Sequence, residues 1–306
     1  RQSICGKTFR TVFFLSVPVT LSGLILPFTQ LIDSVLVLRL IPLKNATSLY
    51  GLWTGPVHSL LNFPVVLTLG IATAVLPSVS RLKAAGNEAA ERERSQTAFR
   101  LTVVAALPCA VGLFLLAKPI VKFLYGGLSE ADWNVSAVLL QISAGSVLCL
   151  SVMQTATAIL QGTGALYPPV RCLAIGTVLK ILLNFLLIPL PQLHIYGAAI
   201  ASVACYFVAG LLDFLYIIRK QKLHFGFADT VLKPLACVLA MTVGVLAFTY
   251  LSGEFLYTAK GTLLCIAFGG GIYLAAVAGL KVFDTKELGG KGFRKRKRVS
   301  QKSEDI

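Results

Sequence analysis

Two side chains carry charge where the sequence around them is apolar. Asp33 lies in TVFFLSVPVTLSGLILPFTQLIDSVLVL (11–38), and Lys180 lies in CLAIGTVLKILLNFLLIPL (172–190). An acid and a base inside such stretches can bind an ion or a proton, hold a charged cargo, or neutralise one another. Polar residues recur around them at helical spacing. The sets are Ser22, Thr29 and Asp33 with Gln30 beside them; Thr177, Lys180 and Asn184; Thr54, His58 and Asn62; and Gln154, Thr157 and Gln161. Residues three and four apart share one face of a helix. Four helices with one polar face each predict a common hydrophilic cavity, with Asp33 and Lys180 paired directly or through water.

The competing readings are plainer. A single Ser, Thr, Asn or Gln on a membrane helix more often hydrogen-bonds a neighbouring helix than serves transport. A purely structural Asp33–Lys180 pair is the second alternative, and His58 reads more readily as a core histidine than as a proton relay. Asp213, near Arg219 and Lys220, reads as interfacial. No nucleophile–base pair, metal-ligand spacing or phosphate-cradling glycine loop is recognisable, which argues against an enzyme. No cofactor is expected, and coupling to H⁺ or Na⁺ stays open.

The elements that position these residues must be membrane helices. Hydrophobic residues make up 56% of the chain and charged ones 13%, at a mean hydropathy of +0.79; a soluble domain carries about 25% charged residues. A bilayer core needs about 20 helical residues per crossing. Uncharged runs give eight all-α spans, at 11–38, 52–79, 101–117, 133–160, 172–190, 197–218, 234–251 and 261–280. Pro18, Pro27 and Pro64 fall inside the first two spans and are read as hinges, since an interior proline removes a helical hydrogen bond. The mixed-charge stretch 81–100 reads as a short surface helix joining spans two and three.

Charge sets the orientation. Of 28 lysines and arginines, 22 fall in one set of alternate loops and tails and five in the other, which predicts that both termini are cytoplasmic. The net charge of +15 is therefore a matter of topology rather than a sign of nucleic acid. The tail KGFRKRKR (291–298) reads equally as a stop-transfer anchor or a contact for anionic membrane lipids. The seven scattered cysteines read as small buried hydrophobes.

Several motifs resemble one family. PFTQLIDS (27–34), LYG (49–51), GIATAVLPSVSRLKAAGN (70–87), LPCAVGLFLLAKPIVKFLYGG (107–127), ILQGTG (159–164) and VLKILLNFLLIPLPQLHIYGAAIAS (178–202) resemble the polysaccharide-export and flippase proteins. The branch it resembles is that of stage V sporulation protein B, related to lipid II flippases and, more distantly, to multidrug extruders. The resemblance covers about residues 10–220.

It implies two six-helix lobes related by an axis along the membrane normal. This chain would supply the second lobe (1–220), two additional helices (221–280) and a basic cytoplasmic tail (281–306). The start at Arg1 would then fall in the linker after a missing N-terminal lobe. By the same resemblance the protein moves a lipid-linked oligosaccharide or peptidoglycan precursor across the bacterial inner membrane by alternating access. Alternatives are a cation-coupled multidrug antiporter of the same fold, with Asp33 binding H⁺ or Na⁺, or a non-transporting half-length fragment. One departure stands out: YGLWTGPVHSLLNFP (50–64) lacks the basic residue that follows the tyrosine in lipid II flippases.

Overall fold

The computed structural model of the chain describes residues 2–41, 46–221 and 232–280. The described residues form helices joined by short turns. In chain order these are α1 (Gln2–Leu40), α2 (Ala46–Leu52), a π-helical turn (Trp53–Val57), α3 (His58–Ala84), α4 (Glu88–Leu115), α5 (Ala117–Leu124), α6 (Glu130–Gly162), α7 (Tyr167–Leu187), α8 (Ile195–Gln221), α9 (Lys233–Ser252), a 3₁₀ turn (Gly253–Tyr257) and α10 (Ala259–Gly279). Among the described residues eight segments are long and apolar enough to cross a membrane, with α2, the π turn and α3 counting as one. The eight expected spans are therefore present. The basic tail lies outside the described residues.

The stretch 81–100 corrects the sequence reading. It is not a separate surface helix: α3 runs on to Ala84, and α4 starts at Glu88 and continues into the membrane span. Gly86 turns the chain at φ 67°, a conformation that costs glycine nothing. The Asn87 side chain then accepts from the Ala90 N–H at 3.1 Å, capping α4, with Glu88 and Glu91 in its first turn. Arg81 and Lys83 belong to the last turn of α3 and the remaining charges to the first half of α4, where Glu91 and Ser95 are already buried.

α6 is the hub, packed on α3, α4 and α8. Hydroxyl pairs fasten it: Thr68 on α3 to Ser151 at 2.8 Å, and Thr102 on α4 to Thr155 at 2.7 Å. Such bonds between membrane helices contribute on the order of 0.6 kcal/mol each. α7 lies on α8 so closely that a Cβ at Gly176 would come within 2.7 Å of the Cys205 carbonyl oxygen. α1 packs chiefly on α7. α9 and α10 pair with one another outside α4, and the Tyr273 hydroxyl donates to the Val104 carbonyl at 2.7 Å.

The prolines sit within continuous helices. α1 runs unbroken through Pro27, which is exposed, and α3 through buried Pro64; the side chain of Pro18 lies outside the described ones. Pro56 instead falls in the π-helical turn. A proline cannot donate to the carbonyl one turn back, and the wider turn accommodates it.

Candidate functional site

The two charges meet. α7 presents Lys180 and Asn184 on one face, four residues apart, and α1 lays Asp33 against them. The Lys180 ammonium donates to Asp33 Oδ2 at 2.5 Å, and the Asn184 amide donates to Oδ1 at 2.8 Å. Asp33 is 5% exposed, Lys180 3% and Asn184 0%. A lysine alone at a helix centre costs about 2.5–3.5 kcal/mol. Paired, the two ions form a neutral unit, and an added hydrogen bond to the carboxylate is what allows a buried pair to offset its desolvation. Among the described residues Asn184 Oδ1 has no partner of its own.

Other expected residues surround this pair unevenly. His58 is half-buried, stands edge-on to Trp53 with ring centroids 4.8 Å apart, and lies within electrostatic reach of Lys180. The Tyr50 hydroxyl donates to the Gln30 carbonyl at 3.4 Å. Thr29 is buried, but its hydroxyl is spent on the Leu26 carbonyl of its own helix at 2.6 Å. Gln30, Thr54 and Asn62 are exposed although they lie in membrane-length segments. Gln154 and Gln161 are half-buried, and Gln154 Oε1 is without a partner. The α1 and α7 stripes thus come together, whereas that of α6 turns elsewhere.

It turns to Asp213, which corrects the interfacial reading. Asp213 is 1% exposed; Thr157 donates to its Oδ2 at 3.4 Å, Oδ1 has no partner, and the Cys172 thiol lies beside it. α8 continues to Gln221, two turns beyond the acid, so Asp213 faces α6 and α7 rather than water. The signal was available. Ala198, Ser202, Cys205, Ala209, Asp213 and Ile217 run at three- and four-residue spacing, an acid in line with a small-residue packing face.

The six described cysteines are free; four are buried, and Cys109 and Cys149 half-buried. Among the described residues no group of His, Cys, Asp and Glu is gathered to hold a metal ion. What the site can do is electrostatic: hold two helices together by opposite charges, and alter that hold when either charge changes.

Comparison with known proteins adds the family. The chain matches the family described as lipid II flippase MurJ over residues 6–269. Three proteins of Bacillus subtilis (strain 168) are similar to it. The uncharacterized membrane protein YabM is 27% identical over 284 residues, 89% of this chain and 51% of that protein. The lipid II flippase MurJ is 27% identical over 285 residues, 88% and 51% respectively. Stage V sporulation protein B is 26% identical over 202 residues, 64% and 38%. The chain thus spans about half the length, or less, of these relatives. Among solved structures, a lipid II flippase MurJ in an inward closed conformation superposes with a TM-score of 0.60 at 19% identity, over 73% of this chain and 47% of that one. That likeness establishes a shared fold.

Proposed function

The chain belongs to the lipid II flippase MurJ family, and from that premise we propose that it is the second lobe, with two additional helices, of a transporter that moves a lipid-linked saccharide or peptidoglycan precursor across the bacterial inner membrane. Residues 1–220 are the lobe, 221–280 the extra pair, and 281–306 the cytoplasmic tail. A first lobe would close the cavity, and both termini face the cytoplasm by the distribution of Lys and Arg. One observation carries the reading: Gln30 and Asn62 are exposed on membrane-length segments, Gln30 one turn from the buried Asp33–Lys180 pair. Acyl chains offer such groups no hydrogen bonds, so this surface calls for water or another polar wall. The Asp33–Lys180 pair, with Asn184 donating to its carboxylate, supplies the charge of this region, and His58 lies within electrostatic reach of it.

The same pair supports alternating access. α1 contacts the remaining helices mainly along α7, and the ion pair is the polar anchor of that contact. Separating the helices would cost the pair its geometry unless water enters. The antiporter alternative, with Asp33 as an ion site, meets an occupied carboxylate, because a metal ion would have to displace an ammonium 2.5 Å away. The absence of a lysine or arginine at 50–64 leaves the cargo at the class of lipid-linked precursors rather than lipid II in particular.

Two measurements test this. Cysteines placed singly at Gln30 and Asn62 in a cysteine-free chain should react with a membrane-impermeant thiol reagent; protection of both in every state would remove the cavity. Precursor translocation should return in a flippase-depleted strain when the chain is supplied together with a first lobe. Failure there, combined with gradient-driven drug efflux, would favour the antiporter.

A further inference from the structure

Apart from the ion pair, a cavity of about 440 Å³ opens where the α6–α7 turn, the start of α7 and the end of α8 meet, lined by Gly164–Tyr167, Pro168, Arg171, Cys172, Tyr216 and Lys220. Arg171 and Lys220 give this lining two positive charges, and it contains no carboxylate. Neither cation forms an ion pair among the described residues; the Lys220 ammonium rests over the Tyr216 ring, 5.9 Å from its centroid. The acids on the far flank of Lys220 are already engaged. Glu91 accepts from the Gln221 amide at 3.0 Å and lies 3.7 Å from the Lys83 ammonium, and Glu88 pairs with Arg92 at 3.1 Å. Asp213 lies beside Cys172 but does not line the cavity.

The position of the cavity narrows the choice of anion. Tyr167 is 60% exposed and Tyr216 40%, and exposed tyrosines at the ends of membrane helices mark the headgroup level. Pro168 and Pro169 stand at the first turn of α7, where they withhold two backbone donors. Recognition therefore falls to side chains: a guanidinium fork suited to phosphate oxygens and a mobile ammonium. Basic pockets between membrane helices take anionic headgroups for this reason. The apolar members of the lining, Ala165, Leu166 and Pro168, suit the glycerol end of a lipid better than a hydrated ion.

We propose that this cavity binds the phosphate of an anionic phospholipid headgroup through Arg171 and Lys220, flanked by Tyr167 and Tyr216. The site is separate from the Asp33–Lys180 pair and does not depend on the cargo assigned above. The test is native mass spectrometry of the whole chain titrated with phosphatidylglycerol, phosphatidylcholine or inorganic phosphate. Wild type should retain phosphatidylglycerol in preference to phosphatidylcholine. Arg171→Gln/Lys220→Gln should bind it about thirtyfold more weakly, the loss expected of two basic groups at a membrane surface. Arg171→Lys/Lys220→Arg should retain it, which separates charge from folding, and millimolar phosphate should fail to displace it. Equal retention by wild type and the double glutamine variant would overturn the site. Displacement by phosphate would reassign the same two residues to a soluble anion and overturn the lipid assignment.

Discussion

Asp33 and Asp213 are both buried carboxylates on membrane-length helices, 5% and 1% exposed, yet they are treated in opposite ways. Both oxygens of Asp33 receive strong donors, one of them charged. Asp213 receives one hydroxyl at 3.4 Å and faces the Cys172 thiol, and its Oδ1 has no partner among the described residues. Burial alone therefore says little about what an acid does. Asp33 is a fastening, whose removal should loosen α1 from α7. Asp213 carries a desolvation cost with little return, so its removal should relax the α6–α8 contact rather than break it.

The sharpest way to break this contrast is Lys180→Met, which leaves Asp33 buried and unpaired. A loss of about 3–5 kcal/mol is expected, read as a large fall in the thermal unfolding midpoint of the purified protein, together with loss of transport; wild-type behaviour would show that the pair holds nothing. Adding Asp33→Asn to that variant should restore more than half of the lost stability, since removing both charges of a buried pair is far milder than removing one. A double variant as unstable as the single one would mean that packing, not charge, is what Lys180 supplies.

Asp213→Asn should go the other way, leaving the midpoint unchanged or raising stability by about 1 kcal/mol. A loss beyond about 2 kcal/mol would reveal a cationic partner for Asp213 and erase the contrast. Smallest of all is Thr68→Val. Combined with Ser151→Ala in a double-mutant cycle, it should give a coupling of about 0.6 kcal/mol. A coupling several times larger would place ordinary interhelical hydroxyl pairs on a level with the ion pair.

How much of this was legible in the sequence depended on the kind of signal. Hydropathy located all eight crossings, because the requirement for about 20 apolar residues tolerates little ambiguity. Asp33 and Lys180 could be paired in advance because they are the acid and the base farthest inside uncharged runs. Asn184 followed from its four-residue offset. Asp213 was missed because proximity to Arg219 and Lys220 was given more weight than its place in the Ala198–Ile217 packing face. The stretch 81–100 conceals its turn for a related reason: its dense mixed charge resembles a solvated helix, whereas Gly86, Asn87 and Glu88 form a turn, a cap and a first helical turn in succession. Exposure could not be read at all. The periodicity of Thr54, His58 and Asn62 fixes a shared face, but which surface that face meets depends on neighbours far away in the chain.

The π-helical turn at Trp53–Val57 reaches further than the accommodation of one proline. Each residue of an α-helix advances the face by about 100°, so a widened turn resets the phase of everything that follows. Tyr50 and Asn62 are aimed relative to one another by that reset rather than by the residues they carry. Deleting a single residue there would swing His58 and Asn62 about a quarter-turn or more around the helix axis while changing the identity of neither. This helix should accept many substitutions and very few changes of length.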